Sequence, residues 1–356
     1  MRSQRIRASY TIDLELPEEE RWREVIKREK TIARSLIKEA LDMFKPFPKA
    51  FRKPLKIMYR IAGGRYLGEI RAWSNGIGVR EEDLLLTQCS YEFSHFILSD
   101  GVIGQTIKKG GTFLQSLRKK VMGCTSGIKH VKGHGMVHLR SLDWPLKNGV
   151  KATRIFRFVD GDREFIAVSL VGMVGVLSGM VPGAYSASIN YAEPDTDPDI
   201  TALGPLFLLR ETLEKCDTYE SAVYMLKHSP VSTHVFFTVC GSKAGQACTI
   251  ERGKKKASIR KHRDETHVQG NHYINRPFSH LNSKIQIEED CISIFDDSTA
   301  RVERMKEELI AFTPANTLHS FGSILRKYPI RNEGTIHQIA FRPKTGDLCV
   351  WGVTQS

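Results

Sequence analysis

The chain has 356 residues, 41% of them apolar, enough to bury a sizeable core as one large domain or two small ones. No apolar run reaches the roughly 18 residues of a membrane span, no secretory h-region follows Met1, and no Asn-x-Ser/Thr acceptor occurs. Transmembrane and secreted classes are therefore set aside; a cytoplasmic location, free or membrane-peripheral, is expected, and the net charge of +13 calls for an anionic partner or a solvated basic face.

The N-terminal third reads as largely helical. Residues 8–15 alternate polar and apolar and predict a strand. Pro17 with Glu18–Glu20 opens a helix, its acids placed where the helix dipole favours them. Val25, Ile26, Ile32, Leu36, Ile37, Leu41 and Phe44 keep helical spacing over 21–44. Pro46, Pro48 and Pro54 then break the pattern, and a second short helix is expected. Asn75-Gly76 predicts a turn and residues 81–96 a further helix. Residues 97–123 mix glycines with lysines and read as an exposed linker or lid.

Much of the charge lies in Lys27–Arg60, with eleven Lys/Arg against three Asp/Glu, and in Glu251–Arg263. Such clusters suit either a solvated face or an anionic lipid surface. The zinc-finger, RNP-like and helix-turn-helix patterns that would support base reading are missing, so nucleic acid is not an expected partner.

From Cys124 the texture changes to strands. Residues 124–131 and 136–143 flank the turn Lys132–Gly135, and 152–159 and 163–171 flank Asp160–Asp162. A strand over 183–191 precedes helices at about 202–215 and 218–228. Strands return at 232–240, 246–251, 256–260 and 265–271, helices at about 298–311 and 316–327, and a hairpin of 334–342 with 347–352 closes the chain. This order of strand and helix blocks predicts a layered α+β sandwich.

One stretch concentrates chemistry: CTSGIKHVKGHGMVHLRSLDWP, starting at Cys124. A single hairpin brings a thiol, the Arg140 guanidinium and the Asp143 carboxylate together, a sufficient kit for attack on an acyl carbon. A lone cysteine opening a strand is ordinarily a small buried hydrophobe, and its company sets this one apart. The other cysteines (89, 216, 240, 248, 291, 349) are scattered without CxxC spacing, which argues against zinc and against a disulfide framework. His130, His134 and His138 recur every four residues, but across a strand turn that spacing has no helical meaning, and no metal or cofactor is expected. Arg140 and Asp143 are three apart, so an ideal strand points them to opposite faces; a bend or bulge near Ser141 is expected if both serve one site.

This block resembles the head of the catalytic subunit of the acid ceramidase and N-acylethanolamine acid amidase family, and more distantly the choloylglycine hydrolases and penicillin V acylases, all N-terminal nucleophile (Ntn) hydrolases. Leu14–Trp22, Val79–Leu86 with Tyr91-Glu92, Val171–Gly175, Arg210–Leu213, Val268–Asn271 and Phe295–Ser298 resemble further family landmarks in the same order. The resemblance implies a four-layer αββα sandwich with an N-terminal, mainly helical α-subunit region (1–96), a linker-like insertion (97–123) and a catalytic β-subunit (124–356). It implies autocleavage between Gly123 and Cys124, after which the two pieces stay associated. The freed α-amine, with an ordinary pKa of about 8, would then serve as base for a thiol of about 8.5.

By the same resemblance, Arg140 would favour the thiolate, Asp143 would hold the α-amino group, and Asn271 would point its amide at the developing oxyanion. Asn190 is a weaker candidate for a second donor, Arg301 (in Ser298-Thr-Ala-Arg301) would orient the site, and Trp144, Met173, Val174 and Val176 would contact an acyl chain. Members of this branch cleave fatty-acyl amides, so the expected reaction is hydrolysis of a linear amide C–N bond in a lipophilic N-acyl amide. The basic segment 27–60, with Phe44, Phe47, Phe51, Leu55, Ile57 and Met58, would meet an anionic membrane surface. An acyltransferase on the same fold, and a non-catalytic basic lipid- or nucleic-acid-binding protein, are the alternatives.

Overall fold

Alternating apolar and polar residues build two sheets that stack face to face, in a computed structural model describing residues 1–43, 59, 64–98, 123–199, 201–262, 265–285, 294–313 and 317–354. Strands β1 (Arg2–Arg5) and β2 (Ser9–Asp13) precede helices α1 (Arg23–Met43), α2 (Leu67–Ile77), α3 (Glu81–Gln88) and α4 (Ser90–Leu98). The hairpin β3 (Gly123–Val131) and β4 (Gly135–Asp143) leads to β5 (Thr153–Asp160), β6 (Arg163–Leu170), β7 (Ser178–Val181) and β8 (Tyr185–Tyr191). Helices α5 (Pro205–Lys215) and α6 (Tyr219–His228) come next, then β9 (Val235–Gly241), β10 (Ala247–Arg252), β11 (Ala257–Lys261) and β12 (Thr266–Gln269). Helix α7 (Ile294–Ala311) and the hairpin β13 (Thr335–Arg342) and β14 (Asp347–Thr354) follow.

One sheet runs β1-β14-β13-β4-β3-β12 and the other β11-β10-β9-β8-β7-β6-β5-β2. Their facing sides interdigitate: Ile155, Ile166, Val168 and Met180 meet Ile339, Phe341 and Val350, and Ile128 and Met136 meet Cys240 and Ala247. The outer side of the six-stranded sheet buries Val137 and Leu139 against Met305 and Leu309 of α7. The outer side of the eight-stranded sheet buries Phe156, Phe158 and Ala187 against Trp22, Trp73, Phe207 and Leu213 of the helices. The layering is αββα, as expected. Each large side chain buried this way contributes roughly 1.5–3 kcal/mol.

The N-terminal region is woven into both sheets. β1 pairs antiparallel with β14 at one edge, and β2 pairs parallel with β5 at another. The polar run Arg2–Arg5 carries no strand-like alternation of apolar residues, which is why the sequence gives no sign of β1. A buried ion pair adds a second tie. Arg210 of α5 grips Glu69 of α2 with two N–H groups at 2.5 and 2.7 Å, and Trp22 Nε1 donates to the same carboxylate at 2.5 Å. The guanidinium stacks 4.2 Å from the Tyr66 ring and 4.9 Å from Phe158. Burial pushes the Glu69 carboxyl up, but Arg210, Trp22 and Arg21 outweigh it and hold the group below its usual value.

Several local expectations are corrected. Asn75-Gly76 is not a turn; α2 runs through it and ends at Gly78, whose φ of 69° is the left-handed helix stop that glycine permits. Gly76 is small because α1 packs there through Ile26. The helix expected over 81–96 is two helices with Cys89 between them. The short strand β7 (Ser178–Val181) lies where the sequence predicts no element. The helix expected at 316–327 is a 3-10 turn (Leu318–Phe321) and one α-turn (Gly322–Leu325). Residues 44–58 and 99–122, with the proposed membrane-facing aromatics and almost all of the insertion, lie outside the described residues.

Glu92 of α4 is buried, with Ser232 Oγ at 3.3 Å, and burial raises its pKa to about 7 from 4.5. The folded state thus holds a proton that the unfolded state releases, so stability falls as pH rises from about 4.5 to about 7. Glu92→Gln is expected to remove this loss, stabilising the protein above pH 7 by on the order of 3 kcal/mol in urea titrations. An unchanged slope of stability against pH in the variant would refute the assignment.

Candidate active site

Cys124 stands near the start of β3, opposite Leu142, with Gly123 opposite Asp143 and Ser126 opposite Arg140. Residues opposite one another share a face. Cys124, Ser126, Arg140 and Leu142 therefore look toward the eight-stranded sheet, while Thr125, Ser141 and Asp143 look toward α7. On the inner face Arg140 Nη2 donates to Cys124 Sγ at 3.2 Å. Its Nη1 donates to the Ile189 carbonyl and, at 3.1 Å, to Asn190 Oδ1. Arg140 is fully buried, and among the described residues no carboxylate lies in ion-pair range of it.

The bend expected near Ser141 is not there. β4 is continuous, and the one register shift beside it lies in β13 between Thr335 and His337. No bend is needed, because the two charges serve different atoms. Arg140 addresses the sulfur on the inner face. Asp143 addresses the backbone just upstream on the outer face: a Cβ on Gly123 would sit 3.5 Å from Asp143 Oδ2. Asp143 accepts from Thr335 Oγ1 at 2.6 Å and Asn332 Nδ2 at 2.9 Å, with Arg301 Nη1 at 3.8 Å. Burial raises its pKa, opposed by Arg301, Thr335 and Asn332.

Asn271 and Arg301 close the outer side. Asn271 Oδ1 accepts from the Cys124 amide at 2.8 Å and from Arg301 Nη2 at 2.9 Å, two donors that fix which end of the amide is oxygen. Its Nδ2 donates to the Tyr191 carbonyl at 2.9 Å. One of the two side-chain N–H groups of Asn271 is thus used, and its oxygen holds the nitrogen of Cys124. Asn190 is more fully committed: both its N–H groups go to the Gln269 and Gly270 carbonyls at 3.0 Å, and its oxygen faces Arg140. Arg301 reaches further than sequence suggested, donating to the Cys124 carbonyl at 2.6 Å and Thr125 Oγ1 at 2.7 Å. Asp297 holds its Nε at 2.9 Å.

The thiol itself is buried. Burial pushes its pKa up; Arg140 opposes this, Asp143 adds to it, and the Tyr191 amide and Arg301 oppose it. The net direction is upward, toward the protonated thiol.

Trp144 is half-buried, and Met173, Val174 and Val176 are buried in the same apolar cluster as Cys124 and Leu142. Gln88 clamps their loop, donating to Gly172 O and accepting from Val174 N, both at 2.8 Å. A cavity of about 220 Å³ lies elsewhere, at the β1/β14 edge, lined by Arg5, Arg7, Ile155, Arg157 and Leu348 among others. Sequence reasoning missed Thr125, Ser298, Asn332, Thr335 and the serines beside Arg140. Ser298 Oγ, which receives the Asn271 amide at 2.6 Å, heads the Ser-x-x-Arg pattern and was within reach. Asn332 and Thr335 carry no local signal.

Comparison with known proteins fits this arrangement. A family profile described as acyl-coenzyme A:6-aminopenicillanic acid acyl-transferase matches residues 187–351. Acid ceramidase of Balaenoptera acutorostrata scammoni is 26% identical over 263 residues, covering 69% of this chain and 63% of that protein. The N-acylethanolamine-hydrolyzing acid amidase of Rattus norvegicus is 30% identical over 140 residues, 37% of this chain and 39% of its own length. The chain therefore spans less than two thirds of these relatives. The solved N-acylethanolamine-hydrolyzing acid amidase ortholog of Caenorhabditis elegans superposes with a TM-score of 0.50 at 19% identity, covering 65% of this chain and 100% of that one. It bears on the fold, which is the Ntn-hydrolase sandwich. The resemblance read from the Cys124 block is borne out.

Arg301 joins the Cys124 carbonyl, Asn271 and Asp297 in a buried position, so Arg301→Met leaves several acceptors without their donor. A loss of about 3 kcal/mol in urea-induced unfolding is expected; a loss below about 1 kcal/mol, the range of an exposed pair, would show that Arg301 does not organise the site.

Proposed function

We propose that this relative of acid ceramidase and N-acylethanolamine acid amidase is a self-processed cysteine Ntn hydrolase that cleaves the amide of a lipophilic N-acyl substrate through a thioester on Cys124. The observation that carries this reading is the contact of Arg140 Nη2 with Cys124 Sγ at 3.2 Å, with the nitrogen of the same residue held by Asn271 at 2.8 Å. Nucleophile and future base are thus fixed on one residue. Maturation begins when the sulfur attacks the Gly123 carbonyl. The C–N bond breaks, the thiol proton passes to the Cys124 nitrogen, and water hydrolyses the thioester to a Gly123 carboxylate and a free thiol. In turnover the amine takes the thiol proton, sulfur attacks the substrate carbonyl, and the leaving amine receives that proton. Water then releases the carboxylate.

Within this reading Arg140 stabilises the thiolate and Asn271 and Asp143 orient the amine. Arg301 fixes the Cys124 backbone, and Trp144, Met173, Val174 and Val176 form the apolar wall for the acyl chain. The Glu69–Arg210 pair and the edge strands β1 and β2 keep the two pieces together after cleavage. Segment 27–60 would bring the enzyme to an anionic membrane surface. The name of the family profile matching 187–351 favours one second reading, transfer of the acyl group to an amine instead of water; product analysis with added amine separates the two.

Intact-mass measurement should find pieces 1–123 and 124–356 that co-elute on gel filtration, and Cys124→Ala should abolish both cleavage and amide turnover. Amide hydrolysis by Cys124→Ala would sink the proposal. Glu69→Gln is expected to loosen the association, with the pieces separating at lower urea than in the unmodified protein; identical urea dependence would remove the buried pair from that role.

A further inference from the structure

The Arg140 contact with sulfur is the last link of a chain of buried polar groups between the two sheets. His138 lies two residues before Arg140 on the same inner face of β4. Its Nδ1 is 3.0 Å from Ser186 Oγ and its Nε2 is 3.2 Å from Ser188 Oγ. Ser188 Oγ is 3.0 Å from Ser126 Oγ, which is 2.9 Å from Asn190 Oδ1. Asn190 Oδ1 receives Arg140 Nη1 at 3.1 Å, and Arg140 Nη2 reaches Cys124 Sγ at 3.2 Å. His138, Ser186, Ser188, Ser126, Asn190 and Arg140 are all fully buried, where a polar group left without a partner is costly.

Counting protons fixes the direction of every link. Asn190 spends both N–H groups on the Gln269 and Gly270 carbonyls, so its oxygen can only accept. Ser126 must then donate to Asn190 and cannot donate to Ser188. Ser188 therefore donates to Ser126, and having one proton it can only accept from His138. His138 Nε2 carries a hydrogen. Burial and Arg140 hold the ring neutral, with a pKa lowered to about 3, so Nδ1 is bare and accepts from Ser186, which also approaches the Cys240 thiol. His267 of β12 adds no compensating negative charge, being itself a buried imidazole near Arg260.

We propose that His138 is a positioning residue whose Nε2–H, acting through Ser188, Ser126 and Asn190, orders a one-way ladder that aims the Arg140 guanidinium at Cys124 sulfur. Among the described residues no carboxylate anchors Arg140, and its Nε makes no hydrogen bond. Its aim depends on the Ile189 carbonyl and the Asn190 oxygen. The ladder keeps that oxygen, not the amide nitrogen, turned toward Arg140. This inference rests on Cys124 being the nucleophile; it assigns the inter-sheet serines and His138 a part in setting its ionisation.

Two measurements on the full chain test it. In long-range proton–nitrogen spectra of protein with ¹⁵N-labelled histidine, assigned by the signal lost in His138→Gln, His138 should be neutral with its proton on Nε2 from about pH 5 to 8. A proton on Nδ1, or an imidazolium, overturns the ladder. The second measurement is the pH dependence of Cys124 alkylation by iodoacetamide, read from the Cys124 peptide by mass. The charged neighbours of that sulfur are Arg140 from β4, Arg301 from α7 and Asp143, with the Tyr91 phenol from α4.

His138→Phe should move the alkylation midpoint up by about one pH unit and slow amide turnover about 10- to 100-fold. His138→Gln, which restores an N–H near the Nε2 position, should recover most of both. Should His138→Phe fail to fold, Ser188→Ala breaks the ladder with a smaller change and should shift the midpoint the same way. An unshifted midpoint in either variant, or a Gln variant as impaired as Phe at equal thermal stability, overturns the proposal. Alkylation needs no amide substrate and is read apart from turnover. If the amidase reading is wrong, turnover is missing in every form while the midpoint shift persists.

Discussion

A buried guanidinium with no carboxylate beside it among the described residues is the constraint on which this site depends. Removing a charge from water costs several kcal/mol even after relaxation, and folded proteins ordinarily offset that with a counter-ion. Arg140 has two oxygen acceptors and one sulfur instead. Of the three, the sulfur is the one that can become an anion. The sheets must stack so that β8 presents Ile189 and Asn190 to Arg140 at the level of Cys124, and the pairing of Ser126 with Arg140 across the β3/β4 hairpin sets that level. Burial of the thiol works against ionisation, and the guanidinium is what opposes it most strongly. Burial outweighs the guanidinium, and the net direction of the thiol pKa is upward.

The outer face handles the backbone of the same residue. Asn271 takes the Cys124 N–H, Arg301 takes the Cys124 carbonyl, and both are linked through the shared Asn271 oxygen. An acceptor placed on that nitrogen serves an amide and an amine equally. The division of labour explains why Arg140 and Asp143 sit on opposite faces: one acts on sulfur, the other beside the peptide upstream of it. The N-terminal region supports this arrangement from a distance. Its strands cap two sheet edges, its Glu69 is neutralised by Arg210, and Gln88 holds the Met173–Val176 loop through two backbone bonds.

Much of the fold was legible because period-two and helical patterns are local. Cys124–Val131 and Gly135–Asp143 read as a hairpin from their alternation and the glycines of the turn, and the αββα layering followed from the order of blocks and the family resemblance. The failures have physical causes. β1 is polar and forms because β14 offers it an edge. Asn75-Gly76 carries turn chemistry that helix packing against Ile26 overrides. The bend expected at Ser141 assumed that both charges had to meet at one point. In the site, the residue types were visible but their directions were not. Asn271 and Asn190 were read as donors of an oxyanion hole; Asn190 has both N–H groups committed to backbone carbonyls, while Asn271 has one so committed and its oxygen on the Cys124 amide.

The sequence by itself determined the candidate nucleophile, the charged residues around it and the alternation that puts Cys124, Ser126, His138 and Arg140 on one face, since side-chain direction along a strand follows from its period of two. Ser186, Ser188 and Asn190 share a face by the same rule. Only the tertiary structure decided that these two faces meet, which hydrogen-bond partner each group takes, and hence which nitrogen of His138 carries its proton. Strand pairing and sheet stacking join residues more than fifty positions apart, and a donor's direction in a buried network is set by the number of protons available to all its members, a property no segment possesses alone.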